Sequence, residues 1–183
     1  MANGAENQSG LGLSYKKFYA VRKLVCKSFG ERFHYDMMMS NAAETLKFGD
    51  VQPALVVSTN PLRIAAYSDE LDAVVMLRFP EELARQYDLS VGTRLTTANV
   101  YLYEYGPYGK DYFPGAGYTH QFADFVPVVQ LFLGNNDEKI RSKVNLFDAA
   151  TWEKVAGLAE EYQAEHPGME RDGFFYMKKA KKN

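Results

Sequence analysis

The sequence predicts an α+β fold: a mainly antiparallel sheet, with a partly closed barrel as the alternative arrangement of the same strands, flanked by three to four helices. Three observations carry this expectation. Short apolar or β-branched runs separated by turn residues crowd the middle of the chain, between residues 54 and 105. Apolar residues at helical spacing dominate both ends. Strands and helices do not alternate regularly, which argues against a parallel βαβ sheet.

The elements follow in order. Met1 to Leu13, rich in Gly, Asn, Ser and Gln, read as a loose tail over 1–13. Ser14 is an N-cap candidate for a helix reaching Phe29 and stopped by Gly30. Tyr15, Phe18, Val21, Val25 and Phe29 would form its buried stripe, with Lys16, Lys23 and Lys27 on the wet side. Asn41 and Glu44 match a capping box for a short helix ending at Gly49. Ala54–Ser58, Leu62–Tyr67 and Ala73–Phe79 read as an antiparallel meander, punctuated by Thr59-Asn60-Pro61 and Ser68-Asp69-Glu70. Pro80 opens a helix to Tyr87 with Glu81 and Glu82 in its first turn, where the helix dipole favours carboxylates. Arg94–Tyr105 is the longest strand candidate. Gly106–Gly117 is broken by glycine and proline throughout. Phe125–Leu133 returns to strand, with Pro127 confined to an edge or an end. Asn135-Asn136-Asp137 reads as a turn. Asp148 caps a helix to His166 whose apolar stripe is Trp152, Val155, Ala159 and Tyr162, and Gly173–Met177 is a last strand candidate. The domain reading is a single unit over 14–177, with a basic tail over 178–183.

With 183 residues, 46% of them apolar and 24% charged, the chain has the composition of a globular domain and the length to bury a core. No apolar run approaches the roughly 20 residues of a membrane helix, and the N-terminus lacks a signal pattern. A single cysteine, Cys26, is compatible with a reducing compartment, so a cytoplasmic location is expected. A net charge of −2 gives no general case for nucleic acid or membrane. The basic residues are nonetheless uneven, gathering in the first helix and at Lys178, Lys179, Lys181 and Lys182.

The catalytic motifs fail in turn. Gly109-Lys110 is followed by Asp111, so it is not a phosphate loop. In Gly115-x-Gly117 the third glycine of a dinucleotide loop is replaced by His120. There is no G-x-S-x-G, no Cys-x-x-Cys and no His-Glu-x-x-His, so neither a cofactor nor a metal site is expected. The stretch from Val74 through Pro80-Glu81-Glu82-Leu83 to Leu89-Ser90-Val91-Gly92-Thr93-Arg94-Leu95 resembles the strand, P-x-E-L helix and L-x-x-G-x-x-L turn of AbrB-type swapped-hairpin DNA-binding domains. Those domains are basic where they meet DNA, whereas this helix is acidic, and the chain is not assigned to that family.

The remaining signal is aromatic. Among 13 tyrosines, Tyr101, Tyr103 and Tyr105 alternate and would share one face of a strand, followed by Tyr108, Tyr112, Phe113 and Tyr118 in the glycine-rich loop. The leading expectation is a non-catalytic binding or protein-interaction domain that uses this loop, its partner a protein or a small molecule, and self-association is open. The alternative is a small-molecule enzyme with His120 as general acid or base, assisted by Glu104, Asp111 or Asp124. A third reading, nucleic-acid binding through the basic first helix, is disfavoured by the overall charge. His34 with Asp36 would share a face on a strand, His166 suits a helix C-terminus, and Cys26 lacks a histidine partner.

Overall fold

The computed structural model describes residues 7–106 and 109–174. Tyr108, the basic tail over 178–183 and positions 175–177 of the expected last strand lie outside the described residues. The fold is α+β, as the sequence predicts: an open, curled, half-barrel sheet, antiparallel but for one short parallel strand. Its strands are β1 (Asp50–Thr59), β2 (Leu62–Ser68), β3 (Ala73–Phe79), β4 (Arg94–Leu102), β5 (Phe113–Pro114), β6 (Asp124–Val129) and β7 (Arg171–Asp172). Their order is β5-β3-β2-β1-β4-β6. The outer edge of β3 is shared, β5 pairing antiparallel at Ala73 and Val74 and β7 parallel at Leu77 and Arg78. Pro127 sits on β6 at the opposite edge, where its missing N–H leaves no ladder bond unmade.

The helices are α1 (Tyr15–Val25), α2 (Phe29–Met37), α3 (Met39–Phe48), α4 (Glu81–Gln86), α5 (Gln130–Leu133), α6 (Asp137–Ser142) and α7 (Ala149–Glu165), with a 3₁₀ turn at Lys143–Leu146. Ser14 caps α1 as expected, accepting from the Lys17 N–H. The predicted helix to Phe29 instead ends at Val25. Ser28 starts a new one by accepting from the Glu31 N–H, while the Glu31 carboxylate accepts from the Ser28 N–H. Two orphan donors are satisfied at once, so the chain gains by breaking and restarting there. Phe29 is therefore 84% exposed rather than buried. His34 and Asp36 lie on α2, not on a strand; Asp36 pairs with Arg22, and His34 is exposed. Residues 130–133, expected as strand, form a single helical turn, and Asn136 caps a helix where only a turn was expected.

Residues expected as a loose tail are anchored from Asn7 onward, where the Asn7 carbonyl accepts from the Val51 N–H at 2.9 Å. Gln8 bridges Asp50, Leu13 bridges Gly134, and Leu11 is 2% exposed. Lys143 donates to the Ser9 carbonyl at 2.6 Å and to Gln130 Oε1 at 3.1 Å, tying this segment to the sheet's helical margin.

Both sheet faces are covered, and side-chain alternation sorts them. Ala54, Val56, Leu62, Ile64, Ala66, Val75 and Leu77 enter the main core with Phe18, Tyr35, Leu46 and Phe132 from the helices. Ala65, Tyr67, Val74 and Met76 face the other way and meet Val155, Leu158, Ala159 and Tyr162 of α7. Strands buried on both faces read as continuous apolar runs, which is why Ala73–Met76 shows no polar alternation. Each Val, Leu, Ile, Phe or Met side chain sealed in this way contributes about 1.5–3 kcal/mol relative to exposure. α7 begins where Asp148 accepts from the Thr151 N–H.

Candidate functional site

β4 stops at Leu102, so Tyr103 and Tyr105 lie past its end instead of continuing a row with Tyr101. The three tyrosines have different surroundings. Tyr101 is half-buried, its hydroxyl donating to Asp50 Oδ2 at 2.8 Å. Burial pushes its phenol far up, with the Asp50 charge adding to the effect. Tyr103 is 75% exposed and Tyr105 50% exposed. Phe122, itself buried, stacks on Tyr101 with ring centroids 4.9 Å apart and touches Tyr103 at 5.4 Å. Lys110 Nζ lies 5.3 Å from the Tyr105 ring centre. Tyr112 and Tyr118 are half-buried, stacked on each other at 5.4 Å with their hydroxyls hydrogen-bonded. Desolvation and this hydroxyl pairing raise the Tyr112 phenol.

Two polar clamps fix the loop at its ends. Arg171, with a side chain 2% exposed, is the first. Its Nε donates to both Asp111 oxygens at 2.8 Å, Nη2 to Asp124 Oδ1 at 2.6 Å, and Nη1 to the Phe125 carbonyl at 2.6 Å. Burial pushes the Asp124 carboxyl up, with Arg171 pulling it the other way. Burial opposes charge on Arg171, yet the two aspartates hold its guanidinium above the ordinary value. Tyr162 of α7 adds a hydrogen bond to the Asp111 carbonyl at 2.7 Å. The second clamp is Asp72, whose carboxylate accepts from the Tyr67 hydroxyl at 2.6 Å and the Gly117 N–H at 2.7 Å, and pairs with Lys154. Burial favours its neutral form, but these partners outweigh it and hold the carboxyl below its usual range. Gly115 and Gly117 approach so closely that an added Cβ would stand 2.8 Å from an Asp72 oxygen at either position. Their spacing serves this aspartate, not a nucleotide.

The residues expected to assist His120 are dispersed. Asp111 and Asp124 come together, but in the buried pair with Arg171. Glu104 and His120 are exposed, and among the described residues no hydrogen bond or ion pair joins His120 to Glu104, Asp111 or Asp124. The His120 ring meets Tyr118 edge-on, with ring centroids 4.2 Å apart, from a backbone with φ +55°. Asp111 and Asp124 both spend oxygens on the Arg171 guanidinium instead of facing the His120 ring. The basic first helix is also partly neutralised, since Lys17 pairs with Asp137 and Arg22 with Asp36, leaving Lys16, Lys23 and Lys27 in solvent.

Sequence reasoning missed Arg171, Asp72 and the Asp50–Gln52 pair. Gln52 Nε2 donates to Asp50 Oδ2 and to Asp69 Oδ1, both at 2.6 Å. The alternation of Asp50 and Gln52 with buried neighbours was the available signal, because it puts both polar side chains on the core face of a strand. Among the described residues no group of three or more His, Cys, Asp or Glu could hold a metal ion, and no helix is long and apolar enough to cross a membrane. Comparison with protein-family models, with curated proteins and with solved structures finds no match.

Proposed function

We propose that this protein is a non-catalytic binding domain whose contact surface is the aromatic loop around Tyr103 and Tyr105. One observation carries the reading: Tyr103 is 75% exposed yet propped from below by buried Phe122, on a loop clamped by Arg171 and Asp72. An unsupported exposed tyrosine would lose rotamer entropy on binding. A ring already held against a buried neighbour loses less and offers a flat apolar body with a hydrogen-bonding tip. Anchors of this type dominate interface energies. Lys110 and Glu104 beside the rings supply a polar rim of both signs.

A photo-crosslinking residue at position 103 tests this in the producing cell, with Val91, 66% exposed, as a control site. A discrete crosslinked species is expected from position 103 and not from position 91. Tyr105→Ala should reduce its yield several-fold with the fold intact. Equal, diffuse crosslinking from both positions, or none from 103, refutes the reading.

A further inference from the structure

Beside the loop, the main-core face of the sheet ends in polar groups instead of apolar ones. Asp50 and Asn99 are directly opposite each other in the β1–β4 ladder, so both side chains project from the same face, and Tyr101 follows two residues along. Asn99 is 1% exposed. Its Nδ2 reaches from β4 across β1 to donate to the Tyr67 carbonyl on β2 at 2.9 Å. Its Oδ1 is buried with no donor among the described residues. A buried acceptor left unpaired is costly, and native proteins rarely retain one without an occupant to satisfy it. The Asp50 carboxylate is one-sided in the same way: Gln52 Nε2 and the Tyr101 hydroxyl both donate to Oδ2. Gln52 Nε2 also holds Asp69 Oδ1, fixing two carboxylates close together. Asp69 is exposed, so the cluster opens to solvent on its side.

We propose that Asp50, Asp69 and Asn99 form a binding site for a protonated primary amine. An ammonium group carries three N–H donors and no acceptor, which complements two carboxylates and one carbonyl oxygen. A divalent cation is a poorer match, because calcium takes six to eight oxygen ligands and magnesium near-ideal octahedral geometry. Among the described residues no group of three or more His, Cys, Asp or Glu could hold a metal ion. The stacked rings of Tyr101 and Phe122 give an amine's carbon chain an apolar wall leading toward Tyr103. The site shares Tyr101 with the loop but does not rest on the loop's being a contact surface, so a failed crosslink at position 103 leaves it standing.

The test is a ¹H–¹⁵N NMR titration of the full chain at neutral pH with n-butylammonium, and with n-butanol as the neutral analogue. The expected result is saturable shifts of the Asn99 and Gln52 side-chain amides and of the Asp50, Asp69 and Tyr101 main-chain amides with the amine, and none that saturate with the alcohol. Asp69→Asn, on the solvent edge, should weaken the amine by about tenfold. No saturable shift with n-butylammonium, an equal response to n-butanol, or tighter saturation of the same resonances by calcium chloride would overturn the proposal. The amine–alcohol comparison on the unaltered protein decides the matter even if the variant folds poorly.

Discussion

Arg171 shows how much one residue holds. Its guanidinium is the shared counter-charge of Asp111 and Asp124, whose side chains are 10% and 0% exposed. Arg171→Met would leave two buried carboxylates without a cation, and breaking such a pair costs about 3–5 kcal/mol. Urea unfolding should register a loss of that order. Arg85→Ala should cost under about 0.5 kcal/mol, because its partner Glu81 lies one turn away in solvent. A loss below about 1 kcal/mol for Arg171→Met would show that the pair is not what closes the loop. None of this was legible in the sequence. Arg171 meets Asp111 across 60 residues and Asp124 across 47, and nothing in the local pattern marks either aspartate as buried.

At the scale of elements, local chemistry decided most boundaries. Ser14, Ser28, Asn136 and Asp148 each accept from a main-chain N–H three residues on. Ser28-x-x-Glu31 carries the signal for the split between α1 and α2, and Gly30 lies inside α2 instead of ending α1. Ser28→Ala removes one half of the reciprocal cap and should cost about 1 kcal/mol in thermal unfolding. An unchanged midpoint would mean that α2 is held by Tyr35 in the core and not by its cap. Residues 130–133 depart from the expected strand for a different reason. All four are buried, and a short run buried on every side has no period by which to distinguish helix from strand.

The whole molecule adds the balance of charge between its parts. Lys143, 8% exposed, is pulled down to about 8 by burial, with Lys139 adding repulsion. A base whose folded pKa lies below its unfolded value of about 10.4 favours folding fully above that value, and the benefit is lost as pH falls through the folded one. Between pH 8 and 10 the native state is neutral at this site while the unfolded chain still binds the proton. Stability relative to Lys143→Met should therefore rise with pH across that window, by up to about 1.4 kcal/mol per pH unit. Chemical denaturation at pH 7.0, 8.5 and 9.5 reads the difference directly. A flat difference would mean that the Ser9 carbonyl and Gln130 hold the ammonium charged against burial.

Legible in the residues alone were the α+β class, the meander of β1 to β3, the restriction of Pro127 to an edge or an end, and the stripe of α7. Each depends on periodicity, capping or proline geometry, and such signals act over a few residues. The sequence also singled out the aromatic loop between Tyr101 and Tyr118. Only the tertiary structure decided which of those rings face solvent, because exposure depends on Phe122, Arg171 and Asp72, all distant in sequence from Tyr103. The same reason places Asp111 and Asp124 on Arg171 and not beside His120. Whether a carboxylate is a base or a structural counter-ion is set by its long-range partner, and strand pairing brings that partner in from elsewhere in the chain.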